Sequence, residues 1–96
     1  LDIDENQNPT SFKLGEVYPN PFNPVTEIKF SVPDLINVDL SIYDMQGRLV
    51  ESLHSGILDP GEYSFTWIAN EYASGVYFAR LSSRLGTDVQ KLMLMK

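Results

Sequence analysis

Apolar and polar residues alternate with a period of two over most of this chain. In Thr26–Val32 the side chains of Ile28, Phe30 and Val32 share one face, with Glu27, Lys29 and Ser31 on the other. Val38, Leu40 and Ile42 alternate with Asp39, Ser41 and Tyr43. Tyr63, Phe65 and Trp67 repeat the pattern, and so do Tyr77, Ala79 and Leu81. Such alternation places one row of side chains in a core and the next in water, which is the mark of a half-buried strand. No segment keeps a helical period. A short strand near Phe12–Val17, a returning strand over Arg48–Leu53 and a final strand over Asp88–Lys96 bring the expected number to seven. Turn residues separate them: Pro33-Asp34, Asp44-Met45-Gln46-Gly47, Asp59-Pro60-Gly61 and Arg84-Leu85-Gly86-Thr87. This spacing predicts an all-β fold, a seven-stranded antiparallel β-sandwich. The expected core is Ile28, Phe30, Val32, Val38, Leu40, Ile42, Leu49, Tyr63, Phe65, Trp67, Tyr77, Ala79 and Leu81.

Two local patterns refine this picture. Ser74-Gly75-Val76-Tyr77-Phe78-Ala79 resembles the tyrosine corner of immunoglobulin-like sandwiches. There a tyrosine on the penultimate strand bonds back to nearby backbone, and the residue two further on packs between the sheets. Tyr77 and Ala79 fit those places. Trp67 lies on the strand before, not on the third strand, so the expected fold is an immunoglobulin-like sandwich of a different lineage from antibody domains. The second pattern is Tyr18-Pro19-Asn20-Pro21-Phe22-Asn23-Pro24. Its prolines remove backbone donors and hold Tyr18, Asn20 and Asn23 out of the helical region. A segment of this kind belongs at a sheet edge or rim. Its two aromatic residues, Tyr18 and Phe22, predict a stiff latch pinned at both.

Ninety-six residues suffice for one domain with a small core. The first eleven, polar and acidic, read as a linker preceding a domain over residues 12–96. The chain begins at Leu1 and contains no evident leader or membrane-spanning run, so it is expected to be a piece of a longer protein whose targeting segment lies elsewhere. The absence of cysteine removes disulfides and thiolate chemistry. A net charge of −6 argues against nucleic acid as a partner. That charge is uneven: residues 75–96 carry Arg80, Arg84, Lys91 and Lys96 against Asp88, whereas residues 31–74 carry seven acids against Arg48. The last two strands therefore present basic groups on an acidic body. These either keep the domain soluble or meet an acidic partner.

Catalytic and metal-binding signals are weak. His54, the single histidine, has no adjacent nucleophile motif and reads as a solvated hairpin residue. Asp2-Ile3-Asp4-Glu5-Asn6 starts like a calcium loop, but Gln7 and Lys13 stand where such a loop needs glycine and glutamate. Tyr43, Tyr72 and Phe78 are candidates for an exposed aromatic platform that would stack on sugars. Leu92-Met93-Leu94-Met95, between Lys91 and Lys96, is apolar on both faces. Either loops or the proline run cover its second face, or a partner docks there by strand addition.

Taken together, these motifs resemble the C-terminal sorting domains of the bacterial type IX secretion system. The similarity runs from about Phe12 to Lys96. It is carried by the Tyr18–Pro24 run and a strand ending at Pro33, then by Ile42-Tyr43-Asp44-Met45-Gln46-Gly47-Arg48-Leu49-Val50. Pro60-Gly61-Glu62-Tyr63 with Trp67, Ala73 to Leu81, and Lys91 to Lys96 follow in the family's order. Two turns depart from it, at Asp34–Asn37 and at Asn70-Glu71. The resemblance implies a non-catalytic C-terminal secretion signal, without cofactor, on a cargo domain that lies N-terminal to it. It implies transit through the periplasm, reading by the outer-membrane translocon and removal by a sortase-like cysteine peptidase. The cargo then stays on the outer-membrane surface or is released. No membrane insertion of the domain itself is implied. Recognition is expected at Lys91, Leu92, Met93, Leu94, Met95 and Lys96. Tyr18, Pro19, Asn20, Pro21, Phe22, Gly47, Trp67, Gly75 and Tyr77 are expected to be structural. The alternative is an immunoglobulin-like spacer or a carbohydrate-binding accessory module of a secreted hydrolase.

Overall fold

The structure is a computed structural model and describes residues 12–96. The expected linker and the incomplete calcium-loop pattern lie outside the described residues. Seven strands follow one another without a helix among the described residues: β1 (Lys13–Tyr18), β2 (Val25–Val32), β3 (Ile36–Tyr43), β4 (Leu49–Leu58), β5 (Gly61–Ile68), β6 (Gly75–Ser83) and β7 (Gly86–Leu94). They form two antiparallel sheets, one in the order β1-β2-β5 and the other in the order β4-β3-β6-β7. This is the immunoglobulin-like sandwich that the alternation predicts. It departs from the constant-type arrangement because β4 pairs with β3 and not with β5. The tight Asp44–Gly47 turn explains this. Gly47 takes φ +82°, a left-handed conformation that favours glycine, and Asp44 Oδ1 accepts the amide hydrogens of Gln46 and Arg48. The turn folds β4 straight back along β3.

The core lies between the sheets. Ile28, Phe30, Val32, Val38, Leu40, Ile42, Trp67, Tyr77, Ala79 and Leu81 are buried as expected. Tyr63 and Phe65 are half-buried and stack on Phe30 at centroid distances of 5.5 and 5.7 Å. Tyr77 makes the predicted corner: its hydroxyl donates to the Ala73 carbonyl at 2.7 Å, and Ala79 is fully enclosed.

Leu49 corrects the expected core, because it is 59% exposed. Its strand carries two register shifts against β3, between Leu40 and Ser41 and between Ile42 and Tyr43. Leu49 pairs with the outward Tyr43, and the next paired residue of β4, Glu51, sits opposite the inward Ile42. The extra residue, Val50, reverses the parity of the strand. The same bulge turns the Glu51 carboxylate inward, where it accepts from Trp67 Nε1 at 3.1 Å and from the Tyr72 hydroxyl at 3.2 Å. β4 also extends past the expected end at Leu53, through His54 to Leu58.

Candidate recognition surface

The proline run is placed by its chemistry against the last strand. Prolines cannot donate to a ladder, so the segment contributes the groups that remain, the Asn20 side chain and the Phe22 backbone. Asn20 Nδ2 donates to the Lys91 carbonyl at 2.9 Å, and Met93 N donates to Asn20 Oδ1 at 3.0 Å. Phe22 N donates to the Met93 carbonyl, and Met95 N to the Phe22 carbonyl, both at 2.9 Å. Phe22 and Leu94 thus form a parallel bridge. The Phe22 ring enters the sandwich and packs on Trp67, with centroids 5.5 Å apart. The strap is fixed at its ends by Thr26, whose buried hydroxyl donates to the Pro19 carbonyl at 2.6 Å, and by Ala69 N, which donates to the Pro24 carbonyl at 2.9 Å.

The latch is therefore real, but it has one aromatic pin and not two. Tyr18 is 68% exposed. It closes the β1–β2 ladder opposite Glu27, on the solvent side, after a register shift between Leu14 and Val17. Replacing Asn20 by alanine removes two bonds to β7 at a site open to water. The expected loss is about 1–2 kcal/mol, read from the urea midpoint of the purified domain, with an unchanged m-value.

The strap decides what the terminal motif can offer a partner. Leu92 and Leu94 are buried, so neither presents its side chain to solvent. The Lys91 carbonyl, the Met93 amide and carbonyl and the Met95 amide are taken by Asn20 and Phe22. The proline run covers the edge over this stretch, and strand addition finds these four backbone positions filled. Lys96 is tied down as well: its backbone N–H donates to Ser74 Oγ at 3.0 Å, and its Nζ donates to the Asn70 carbonyl at 2.6 Å. What reaches solvent is Lys91, Met93, Met95 and Lys96, the two methionines 37% and 55% exposed.

Towards its other end, β7 is guarded differently. Asp88 accepts from Leu14 N at 2.8 Å through Oδ2 and from Val89 N at 3.0 Å through Oδ1. A carboxylate placed on an edge in this way occupies backbone donors that another chain would use.

The outer face of the four-stranded sheet carries the remaining expected residues. Tyr43 and Phe78 are cross-strand neighbours there, and the Arg80 guanidinium lies over the Tyr43 ring at 5.9 Å. Together with Met45, Gly47 and Val89 they line a hollow of about 340 Å³. Tyr72 is elsewhere. Its ring packs on Trp67 and Tyr77, and its hydroxyl is raised above the usual tyrosine range by burial first and by the Glu51 bond next. The three aromatics therefore do not form one platform, and Tyr43 is capped by a cation. A larger hollow, about 480 Å³, lies on the outer face of the three-stranded sheet around Lys29, Ser31 and Ser64.

His54 is not the solvated residue that the sequence suggests. The bulges of β4 bring it opposite the inward Leu40; it is half-buried and packs on Phe65 at 5.4 Å. Its Nε2 lies 3.2 Å from the Gly56 carbonyl. Among the described residues, no cluster of histidine and carboxylate groups could hold a metal ion.

A family model described as a secretion system C-terminal sorting domain matches residues 16–95. The chain belongs to that family. The match begins just before the strap and ends just after the bridge that the strap makes with β7. As a type IX sorting domain, the chain is a C-terminal secretion signal, and the protein carrying it is exported across the outer membrane. No curated protein matches the chain.

Proposed function

We propose that this sorting domain is a non-catalytic address label, read in the periplasm by the type IX outer-membrane translocon. A sortase-like cysteine peptidase then cuts within residues 1–11 and frees the cargo that precedes them. The observation that carries this reading is the rigid display of the last strand. Its interior leucines and its strapped backbone edge fix Lys91, Met93 and Met95 in one arrangement. A receptor that must recognise many unrelated cargoes needs such a constant, preorganised surface, because ordering a loose tail on binding would subtract from affinity. Leu92 and Leu94 act here as scaffold, and Lys96 closes the end of the strand.

A periplasm-directed reporter fused ahead of residues 1–96 tests this. In a type IX-competent cell the reporter is expected on the surface, and in a cell without the translocon it is expected in the periplasm. Inactivating the peptidase cysteine should leave the reporter joined to the domain. Retention in the periplasm of competent cells would return the domain to the class of spacers or accessory modules.

A further inference from the structure

The outer face of β3, β6 and β7 gathers aromatic, aliphatic and basic residues. Strand pairing brings Tyr43 beside Phe78, Phe78 beside Lys91, Arg80 beside Val89, and Val76 beside Met93. Val89 is 53% exposed in the middle of this face. The carboxylates nearest to it are already engaged. Asp44, at the rim of the hollow, accepts from Arg48 Nε at 3.1 Å as well as from two backbone amides, and Asp39 accepts from the Ser41 hydroxyl. Hydrogen bonding to the Arg48 backbone leads in holding the Asp44 carboxyl below its usual range. Asp88 is drawn to the edge by Leu14 N. A protein of net charge −6 thus presents one aromatic and aliphatic surface whose central charges, Arg80 and Lys91, are positive.

We propose that this face is the docking surface for the export machinery, and that its partner is an acidic protein surface. The inference rests on the sorting reading above and names the chemistry of the partner. Charge complementarity selects the occupant. A second copy of this chain laid face to face would set Arg80 and Lys91 against the same two cations, which like-charge juxtaposition disfavours. A sugar would need the Tyr43 ring that Arg80 covers. An acidic surface with apolar residues between its carboxylates satisfies both the two cations and the exposed Val89 and Met93. Such pairing also steers encounter with an otherwise acidic domain.

The test is charge reversal on two faces. Arg80→Glu with Lys91→Glu is compared with Lys13→Glu with Lys29→Glu, which changes the charge equally on the opposite sheet. Both are made in the reporter fusion, and both purified domains are checked by thermal unfolding. The first pair is expected to lower surface delivery about tenfold or more while keeping a cooperative transition, and the second to leave delivery unchanged. The pair Arg80→Gln with Lys91→Gln should fall between, and it decides the matter if the glutamate pair does not fold. Delivery of the folded first pair, or of the glutamine pair, at the unaltered level overturns the assignment while leaving the sorting reading intact. An equal defect from both faces also overturns it, since total charge would then be what is read. Failure of the unaltered fusion to reach the surface overturns the sorting reading itself. Co-sedimentation of the unaltered purified domain, but not of the glutamate pair, with anionic phosphatidylglycerol vesicles would move the face to lipid and reject the protein partner.

Discussion

Trp67→Ala is expected to leave the domain largely unfolded. Trp67 is fully enclosed and touches three aromatic rings, Phe22, Tyr72 and Tyr77, at centroid distances of 5.5, 5.7 and 5.4 Å. Its Nε1 supplies a hydrogen bond to the inward-turned Glu51. Truncation to alanine opens a cavity in a closely packed interior, which costs about 3–5 kcal/mol for an aromatic residue. It also leaves the Glu51 carboxylate without one of its donors, at about 1–3 kcal/mol more. A domain of this size has about 5–15 kcal/mol of total stability. Together the two losses come to about 4–8 kcal/mol, which takes most or all of the stability in the lower half of that range, where a small domain lies. Trp67→Phe keeps much of the packing and loses the hydrogen bond, so it should fold with a lowered midpoint. Circular dichroism during heating reads both. A cooperative transition for Trp67→Ala within a few degrees of the unaltered protein would show that the ring cluster contributes little.

Deleting Leu92–Lys96 is expected to abolish folding before it can report on recognition. The deletion removes Leu92 and Leu94 from the core, each comparable to a large-to-small change of about 2–5 kcal/mol. It also removes Met93 and Met95, to which the Phe22 backbone is bonded, and so releases the strap. Loss of export after such a deletion would follow from either cause. The separating measurement compares the deletion with Met93→Ser and Met95→Ser. These change exposed side chains and keep every backbone bond, so they should retain the unfolding transition. A truncated domain that still unfolds cooperatively near the original midpoint would contradict the structural role given to this strand.

The alternating strands were legible because each has one wet face and one dry face: β2, β3 and β6 place the expected residues inside. β4 was not, and the reason is specific. An extra residue at Val50 and another near Leu53 each reverse the parity, so Leu49 points outward while Glu51 and His54 point inward. A bulge is a feature of pairing between two strands, and the residues of one strand alone do not announce it. The terminal motif shows the same limit. Its apolar residues on both faces were readable, and covering by the proline run stood among the alternatives. Which backbone groups remain open depended on Asn20 and Phe22, more than seventy residues away in the chain. Tyr18 and Phe22 look alike as aromatic residues in a proline-rich stretch. Only the solvent-side pairing of Tyr18 with Glu27 and the entry of Phe22 beside Trp67 distinguish them.

The bridge between Phe22 and Leu94 joins the segment that follows β1 to the end of β7. During synthesis the strap emerges early and waits for its partner. Until Met93 and Met95 have been added, the Phe22 amide and carbonyl lack the bonds that hold them. A chain broken off at any earlier codon carries an open sandwich with a loose strap. The closure of the domain thus requires the residues up to Met95 to be present.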